Sequence, residues 1–345
     1  MIKIASISNN YGKTFDGVGD FARVQNINYP KDINATVYSA ECTYEASTLK
    51  RFFSIGMIQA IYKVIKDLKY LDYDVVMVEY PFVEWNPMIL IPLTMLSKRI
   101  KKRGFFVLSL HEYNRVNYLR KKVIEKICKL SDLVFVSDEN IEEAVKQYCK
   151  RTKIRQIPTN LYNDRAIHEN IEKKENIYVY FGLVNSSKAF DEMLEAWDIF
   201  NREGDKKLYI LSGTPLGDIE RKHKGIEYIY NGSDYEIITK MREAQVCFLP
   251  VKPYVDSKNT TFKTASISGC ICVGAFCDEY KKLDYVVNIE NYNPKSIISA
   301  LEKISNLSEC EILKRIESAI EFGKKYTPQN TSEVVANEIR MMVGK

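Results

Sequence analysis

The sequence predicts an α/β protein made of two doubly wound parallel sheets. Its apolar segments are short, rich in Val, Ile and Phe, and continuous rather than alternating, which is typical of strands buried on both faces. Segments with helical character lie between them, and alternating strands and helices at this spacing indicate βα units. At 345 residues the chain is too long for one ordinary core and suits two domains of about 150 residues each.

The first half contains five predicted strands, with helices between them. The strands lie at 2–8, 35–41, 74–80, 105–111 and 132–138, and the helices at 50–70, 86–102, 117–130 and 139–150.

The second half repeats this scheme. The strands lie at 176–182, 207–213, 226–232, 244–251 and 270–276, and the helices at 188–203, 235–243, 260–268 and 295–306. We predict domains at 1–160 and 161–328, joined within the segment 153–164. A last helix in 329–345 is expected to pack back on the N-terminal domain.

The composition indicates a soluble, reduced, cytoplasmic protein. Hydrophobic residues make up 46% of the chain and charged residues 28%, as in ordinary globular domains. No apolar run reaches the roughly 18 residues of a membrane-spanning helix, and the first apolar run is too short for a signal peptide. The eight cysteines form no CxxC pair and there are three histidines, so we expect no metal site. Cys270 and Cys272 are expected to be buried thiols.

The positive charge is concentrated in the first half. Residues 1–160 carry 25 Lys and Arg against 17 Asp and Glu, whereas the remaining residues carry 25 against 28. The window 95–129 contains 11 basic residues and only two acidic ones. It can be a solvated face, a surface for an anionic membrane or a nucleic-acid interface. No recognised motif or aromatic platform accompanies the charges, which argues against nucleic acid.

Ligands of open α/β folds bind at the carboxyl ends of the strands, so the loops there are the candidate sites. In the first such loop, Gly17 and Gly19 lead into a helix predicted to begin near Asp20. Backbone N–H groups without Cβ hindrance, beside a helix N-terminus, suit a phosphate or sugar. A simple turn and a dinucleotide fingerprint are the alternatives. Eight residues separate the strand from the glycines, and a dinucleotide fingerprint allows almost none, so this spacing argues against the fingerprint.

His111 ends the fourth strand in LSLHEYN. A histidine there can donate hydrogen bonds or exchange protons near neutral pH, and a core histidine bonded to a carbonyl is the alternative. In FGLVNSSKAFDEMLEAW, Ser187 is expected to cap a helix whose first turn contains Lys188. A cation there is unfavourable unless an anion is bound beside it, although a solvated lysine remains the alternative. The D-x-D at 72–74 stands at the start of a strand and is interpreted as a loop rather than a metal motif.

Taken in order, these segments resemble those of the GT-B glycosyltransferases, in particular the retaining family-4 enzymes that use nucleotide-sugar donors. DGVGDF is similar to the family's glycine-rich loop, SLHEY to its strand-end His-Asp/Glu, and FGLVNSSKAFDEMLEA to G-R-x4-K-G-x3-L-x-x-A. SDLVFVSDENIEEAV and TASISGCICVG also resemble family segments. The resemblance covers nearly the whole chain and implies two Rossmann-like domains facing a central cleft.

The resemblance implies a role for each matching residue. Gly17, Val18 and Gly19 would approach the donor diphosphate and the transferred sugar through their backbone, and His111 would hydrogen-bond that sugar. Lys188 would neutralise the diphosphate leaving group without a metal, and Asp256 would bind sugar hydroxyls. The donor would also contact the start of the next helix, at Asn259, Thr260, Thr261, Phe262, Lys263 and Thr264. The acceptor would contact loop residues of the first domain, namely Asp20, Glu79, Tyr80 and Tyr113.

Three positions depart from the family pattern. Leu183 stands where a second phosphate-binding cation is usual, Ala189 replaces a glycine, and Thr264 replaces the acid that normally contacts the nucleotide ribose. Lys258 and Lys263 are close enough in sequence to supply replacement charge.

The sequence therefore predicts a retaining glycosyltransferase that moves a hexose from a nucleotide-diphosphate sugar to a glycan or lipid-linked saccharide. His111, Asp256 and Lys188 are the predicted catalytic residues, and no cofactor or metal is expected. The protein is expected to be cytoplasmic and peripheral at an anionic membrane through 95–129, as the resemblance implies for enzymes with lipid-linked acceptors. Two alternatives remain open. One is a nucleotide-sugar 2-epimerase of the same fold, and the other is a non-catalytic nucleotide-sugar-binding protein.

Overall fold

The computed structural model describes residues 1–12, 17–41, 48–84, 86–114, 116–159 and 161–344, without the side chains of 48 and 49. Within these ranges the chain forms two six-stranded sheets in which all strand pairs are parallel. Each sheet belongs to a separate unit. Unit 1 comprises Met1–Ile157 and Pro328–Lys345, and unit 2 comprises Pro158–Thr327. The predicted α/β fold with two doubly wound sheets is confirmed.

Strands and helices alternate through unit 1, and its strand order is β2-β1-β3-β4-β5-β6. The elements are β1 (Ile2–Asn9), α1 (Gly17–Ile27), β2 (Ile33–Ala40), α2 (Thr48–Phe53), α3 (Gly56–Asp67), β3 (Val75–Tyr80), α4 (Leu90–Ile100), β4 (Phe105–Leu110), α5 (Tyr118–Leu130), β5 (Leu133–Val136), α6 (Glu139–Val145) and β6 (Thr152–Ile154).

Unit 2 repeats the alternation with the strand order β12-β11-β10-β7-β8-β9. Its elements are α7 (Asp164–His168), β7 (Lys174–Phe181), α8 (Phe190–Phe200), β8 (Lys207–Ser212), α9 (Ile219–Lys222), β9 (Ile226–Tyr230), α10 (Asp234–Glu243), β10 (Ala244–Leu249), α11 (Thr260–Ile267), β11 (Ile271–Gly274), β12 (Val286–Asn288), α12 (Pro294–Ser305) and α13 (Glu309–Lys324). The last helix, α14 (Pro328–Val343), returns to unit 1.

The sheet of unit 1 is buried on both faces because successive strand residues point to opposite sides. In β3, Val76 and Val78 pack with α3, α4 and α5 in one apolar cluster. Val75 and Met77 pack on the other face, where Val335, Ala336 and Ile339 of α14 cover them. This two-sided burial explains why the strands of unit 1 are continuous apolar runs. In unit 2, α8 and α12 cover one face and α10 and α11 contribute to the core on the other.

The element boundaries differ from the prediction at several places. All predicted strands occur, but the short strands β6 and β12 and the helices α7, α9 and α13 were not predicted. The segment 50–70 forms two helices, α2 and α3, rather than one. The units divide after Ile157 and Thr327, whereas the predicted boundaries were 160 and 328, and Asn160 lies outside the described residues.

Candidate functional site

Three charged or titratable side chains meet where strands of unit 1 end. Glu79 lies near the end of β3, His111 directly follows β4, and Arg155 directly follows β6. Because the strands are parallel, all three positions fall at the carboxyl edge of the sheet. We call these residues the Glu79–His111–Arg155 cluster.

The contacts within the cluster are close. Oε2 of Glu79 lies 2.8 Å from Nε2 of His111 and accepts a hydrogen bond from Ser109. Nη2 of Arg155 lies 3.1 Å from Nδ1 and 2.9 Å from Nε2 of His111, and the guanidinium carbon lies 3.8 Å from the centre of the Phe21 ring. The exposed fraction is 0% for Glu79 and 1% for Arg155, so the charges face each other rather than bulk water.

Pairing decides the ionisation of the two buried charges. Burial acts to raise the pKa of Glu79, but the charge of Arg155 and the hydrogen bond from His111 outweigh it, so that the pKa is lowered. Burial lowers the pKa of Arg155, and the charge of Glu79 opposes this. The two charges lie 3.7 Å apart, close enough for each to offset the desolvation of the other.

The glycine segment lies within a helix rather than in a turn before it. Because α1 begins at Gly17, three residues earlier than predicted, Gly17, Val18 and Gly19 belong to its first turn. A Cβ on Gly19 would lie 2.6 Å from the backbone oxygens of Asn9 and Asn10, so this glycine lets α1 pack closely on the end of β1. Residues 13–16 of the same loop lie outside the described residues. The role of the segment in donor binding stays a prediction.

The predicted acceptor residues are placed differently from expectation. Glu79 and Tyr80 were assigned to the acceptor as loop residues, although the predicted strand 74–80 includes them, and both lie within β3 and are buried. Tyr113 does follow β4, yet it is also buried and packs in the core of unit 1. Asp20 is on α1, and its side chain is half exposed. Of these four residues, Asp20 alone is accessible in the way that an acceptor contact requires.

In unit 2, Lys188 is held by the backbone beside the segment that follows β10. It forms an antiparallel bridge with Val251, and the amide of Lys252 donates to the carbonyl of Ser187 over 2.8 Å. Burial lowers the pKa of Lys188, and no charged group contributes to the shift. In the part of unit 2 that the structure describes, the Lys188 ammonium has no ion pair. A half-buried cation of this kind suits an anionic ligand.

The local environment of Lys188 differs from the prediction in one respect. Helix α8 begins at Phe190, so Lys188 precedes the helix instead of lying in its first turn. Ser187 was predicted to cap this helix, but its hydroxyl donates to the side chain of Asn185. The N-cap position is Ala189, so the helix begins without a side-chain cap.

Asp256 lies on the segment that follows β10, and β10 pairs with the strand β7 that precedes Lys188. Its Oδ1 accepts a hydrogen bond from the amide of Lys258 over 3.0 Å, and the preceding residue, Val255, is bonded to the segment after β11. Asp256 and Lys188 therefore follow adjacent parallel strands at one edge of the sheet.

Helix α11 begins directly after this segment. The side chain of Asn259 accepts a hydrogen bond from the amide of Phe262 over 2.8 Å and so caps the helix. Asn259, Thr260 and Thr261 are half-buried, whereas the ring of Phe262 is buried and packs on Phe276, Tyr280, Tyr285 and Phe322. A contact of Phe262 with a donor could involve its backbone only, and the amide is already used by the cap.

The side chains of Lys263 and Thr264 lie in the interior of unit 2. Lys263 is 1% exposed, and its ammonium donates to the carbonyl of Ser257 over 2.7 Å and lies 4.8 Å from the centre of the Tyr326 ring. Thr264 is fully buried, and its hydroxyl donates to the carbonyl of Thr260. The suggestions that Lys263 supplies replacement charge and that Thr264 contacts the ribose stay predictions, and the burial of both side chains does not favour them. Helix α11 is buried on all sides from Phe262 to Ile267, so both side chains lie in the interior.

Arg155 is the main residue that the sequence did not reveal as part of the site. It falls inside the predicted junction 153–164, because the three-residue strand β6 before it has no continuous apolar run. The available signal was an arginine placed directly after a short segment, Thr152–Ile154, whose two outer residues are β-branched. Leu183, which replaces an expected cation, is 57% exposed in the loop after β7.

The basic window 95–129 spans α4, β4 and α5. Its helices also expose apolar side chains, including Met95 on α4 and Leu119 on α5. No helix in the described part of the chain is long and apolar enough to cross a membrane. The described residues contain no grouping of His, Cys, Asp and Glu suited to a metal ion.

Comparison with known proteins addresses the fold. No protein-family model and no curated protein matches the sequence. Several solved structures are similar over almost the whole chain. The α,α-trehalose 6-phosphate synthase of Burkholderia multivorans is 13% identical, with 100% of this chain and 99% of that chain covered and a TM-score of 0.63.

Two further solved structures are also similar over almost the whole chain at low sequence identity. A trehalose-6-phosphate synthase studied with bisubstrate glycomimetics is 13% identical, covers 98% of this chain and 99% of its own, and has a TM-score of 0.60. An α-glucosyltransferase in complex with UDP and a 13-mer DNA containing an HMU base is 14% identical, covers 100% of both chains and has a TM-score of 0.62. The assignment to family 4 stays a prediction, and the comparisons confirm that this chain has the fold of the GT-B glycosyltransferases.

Proposed function

We propose that this protein is a retaining glycosyltransferase that moves a hexose from a nucleotide-diphosphate sugar to a glycan or lipid-linked saccharide, without a metal cofactor. The observation that carries the proposal is Lys188, a half-buried cation without an ion pair among the described residues, at the carboxyl edge of the unit 2 sheet. Asp256 and the start of α11 lie on the segment after the adjacent strand. This combination suits a sugar diphosphate, which carries negative charge and hydroxyl groups.

The chemistry assigns one task to each group. Transfer breaks the bond between the sugar carbon and the diphosphate oxygen, so negative charge grows on the diphosphate. The Lys188 ammonium stabilises this charge, and the first amides of α11 support it through the helix dipole. Asp256 accepts hydrogen bonds from sugar hydroxyls, and His111 is proposed to contact the transferred sugar. The similarity to structures described with UDP and with retention of configuration supports a uridine nucleotide as the first donor to test.

Calorimetric titration tests the donor site. UDP, GDP, ADP and dTDP are titrated into the wild-type protein, and we expect one of them to bind, with UDP as the first choice. Loss of a hydrogen bond to a charged group costs about 1.5–3 kcal/mol, so Lys188→Met should weaken the binding of that nucleotide by about 10- to 100-fold. Lys207→Met is the matched control, because Lys207 pairs with Glu227 at the start of β8. If no nucleotide binds, the proposal is wrong.

Donor hydrolysis then separates an enzyme from a binding protein. We expect slow hydrolysis of the matching nucleotide sugar, no effect of EDTA, and loss of hydrolysis in His111→Ala with nucleotide affinity preserved. A protein that binds nucleotide but never turns over the donor would be the non-catalytic alternative, which the exposed Leu183 and the buried Thr264 favour. Release of a free epimerised sugar without an acceptor would identify the 2-epimerase instead.

We further propose that the α4–α5 surface docks on an anionic membrane. This surface combines exposed apolar side chains, Ile91, Met95 and Leu119, with exposed lysines at 98, 102, 126 and 129. Apolar groups suit the lipid interface, and each lysine near it contributes about 1 kcal/mol.

Co-sedimentation with vesicles tests the membrane proposal. Vesicles of phosphatidylcholine with phosphatidylglycerol should bind the protein, and phosphatidylcholine alone should not. Lys126→Glu with Lys129→Glu should weaken binding by at least about tenfold, since two contributions of about 1 kcal/mol are lost and repulsion is added. Lys303→Glu with Lys314→Glu, two exposed lysines of unit 2, should bind like the wild type. Equal binding to both vesicle types would rule out this surface.

A further inference from the structure

We propose that two adjoining grooves beside α4 bind one phosphate-bearing lipid, with its hydrocarbon chain between α4 and α5 and its phosphate between α3 and α4. The inference deepens the membrane docking proposed above for the α4–α5 surface and rests on it for its biological setting. It goes beyond docking because it assigns a site for a single lipid molecule, which the protein can fill without any membrane.

The groove between α4 and α5, which we call the apolar groove, has a volume of about 520 Å³. Its lining is mainly apolar and comes from Leu90, Ile91, Met95 and Leu130. The hydroxyl of Thr94 also lines the groove, but it donates to the carbonyl of Leu90 over 2.7 Å and is therefore used within the helix. Ile91 is 50% exposed and Met95 is 47% exposed, so this apolar surface is open to a ligand. A hydrocarbon chain suits it, because burial of apolar groups against each other is favourable.

The groove between α3 and α4, which we call the basic groove, has a volume of about 480 Å³. Its described lining contains no acidic residue and four basic ones, namely Lys98, Arg99, Lys102 and Arg103. Arg103 is already paired, because its guanidinium donates to Asp72 over 2.7 Å. The other three have no ion pair within the part of the chain that the structure describes. Three cations around one groove suit a phosphate, which accepts strong hydrogen bonds from charged donors.

The two grooves adjoin at Met95, which lines both of them. The exposed stripe of α4 changes character at this residue. Ile91, Met95 and Lys98 are spaced by four and three residues and share one face of the helix, and Lys102 follows in the turn after the helix. All four side chains are exposed. The surface therefore passes from apolar to basic along the axis of the helix.

A hydrocarbon chain joined to an anionic head matches this end-to-end separation. An amphipathic helix of a partner protein carries an apolar stripe along its whole length, which does not match a surface that is apolar at one end only. A second copy of this chain would bring lysines against lysines, and such like-charge contacts are unfavourable. Nucleic acid is bound mainly through its phosphates and would leave the apolar groove unused. Charge and apolar complementarity therefore favour a phosphate-bearing lipid.

Two further lysines border the apolar groove, but the basic groove is the better position for the phosphate. Lys126 and Lys129 of α5 line the apolar groove. The ammonium of Lys129 lies 5.6 Å from the centre of the Tyr148 ring, so it already has a partner. Lys126 is then a single cation, whereas the basic groove offers three. The phosphate is therefore assigned to the basic groove, and the two lysines of α5 serve as the comparison.

Titration calorimetry with alkyl phosphates tests the site without a membrane. Octyl phosphate and decyl phosphate are titrated at concentrations below those at which they form micelles. Each buried CH₂ group strengthens binding about fourfold, so decyl phosphate should bind about 15-fold more tightly than octyl phosphate. Inorganic phosphate lacks the chain and decyltrimethylammonium lacks the negative charge, and both should bind at least about tenfold more weakly than decyl phosphate. Equal binding of the two chain lengths, or no binding of either, would overturn the proposal.

One substitution tests the apolar groove. Ile91→Ser removes an exposed apolar side chain from its lining and should weaken the binding of decyl phosphate by about tenfold. Leu313→Ser is the matched control, because Leu313 is a 54% exposed leucine on α13 of unit 2. The affinity of this control should equal that of the wild type. An unchanged affinity in Ile91→Ser would refute the position assigned to the chain.

A pair of double substitutions tests the basic groove. Lys98→Gln with Lys102→Gln should weaken the binding of decyl phosphate by at least about tenfold, because two cations near the phosphate are lost. Lys126→Gln with Lys129→Gln removes the same number of charges beside the apolar groove and should have a smaller effect. All four lysines are exposed, so both proteins are expected to fold. A larger effect of the α5 pair would refute the position assigned to the phosphate.

Separate measurements distinguish this inference from the proposed function. Binding of decyl phosphate without binding to anionic vesicles would refute the membrane docking and leave the lipid site standing. Binding to vesicles without binding of decyl phosphate would refute the lipid site and leave the docking standing. Binding of an acidic amphipathic peptide in place of the alkyl phosphates would overturn the proposal and assign the surface to a protein partner. None of these results depends on a nucleotide, so failure of the glycosyl transfer leaves the lipid site standing.

Discussion

Replacing Lys263 with methionine removes a buried ammonium and keeps most of the side-chain volume. In the folded protein this ammonium contacts the carbonyl of Ser257 and the ring of Tyr326, and the side chain is almost fully buried. Burial lowers the pKa of Lys263 from its ordinary value of 10.5 to about 7, although the charges of Asp256 and Glu279 act in the opposite direction. The substitution should therefore change how stability depends on pH.

The sign follows from proton binding. Between pH 7 and 10.5 the unfolded chain keeps the Lys263 proton and the folded chain has lost it, so the unfolded state binds more protons and stability rises with pH. Each unit of pKa difference corresponds to about 1.36 kcal/mol. For a group that titrates near 7 in the folded state, the free energy of unfolding of the wild type should increase by about 2 kcal/mol from pH 7 to pH 9 because of this side chain. Lys263→Met should lack this gain.

Urea unfolding at several pH values measures the effect. The chain contains two tryptophans, and Trp197 is buried in unit 2, so a Trp85→Phe background lets fluorescence report on unit 2 alone. The free energy of unfolding is plotted against pH for Lys263→Met and for the parent. Subtracting one curve from the other removes the contributions of all other titrating groups. The difference in unfolding free energy should change by about 2 kcal/mol between pH 7 and pH 9.

The control is Lys282→Met, an exposed lysine on the same unit. Its curve should run parallel to that of the parent. Parallel curves for Lys263→Met as well would refute the reasoning, because they would mean that Lys263 keeps its proton in the folded protein over the whole range.

Three further substitutions should change stability, each measured by urea unfolding. Gly19→Ala should destabilise by about 2 kcal/mol, since its Cβ would meet the backbone oxygen of Asn10 at 2.6 Å; an unchanged midpoint would contradict the close packing of α1. Ser308→Ala should cost about 1 kcal/mol by removing the reciprocal cap of α13, and a neutral result would mean that the cap is not formed in solution. Glu338→Gln should cost about 1 kcal/mol at low salt by breaking the pairs with Arg151 and Lys153, and the cost should shrink in high salt; a salt-independent effect would point to packing instead.

The strands and the fold class were predictable because burial on both faces leaves a direct mark on the sequence. Runs such as 75–78 and 105–108 are apolar throughout, and a parallel sheet covered by helices is the arrangement that requires this. β6 and β12 escaped prediction because each is a three-residue edge strand, paired on one side, and β6 contains a polar lysine. Helix α13 was missed although the capping box at Ser308 and Glu311 marks its start.

The candidate site was predicted less well, because side-chain direction is not visible in a motif. The similarity of TASISGCICVG to a known pattern gives Thr264 a place near a nucleotide, but α11 is covered on all sides from Phe262 to Ile267, which buries Lys263 and Thr264. The predicted strand 74–80 places Glu79 near a strand end, yet the charge that offsets its burial comes from Arg155, which lies 76 positions later in the chain. Long-range pairing of this kind leaves no local signal in either segment.

The return of the chain to unit 1 has a consequence for the order of synthesis. Val335, Ala336 and Ile339 of α14 cover an apolar face of the first sheet that Val75 and Met77 help to form. A ribosome makes this sheet first and α14 only after all of unit 2. That face therefore stays uncovered while about 170 residues are synthesised. At roughly 5–20 residues per second this delay lasts on the order of ten seconds or more. During that time an apolar surface of a nascent domain is exposed, which makes unit 1 a candidate substrate for chaperones that bind emerging chains.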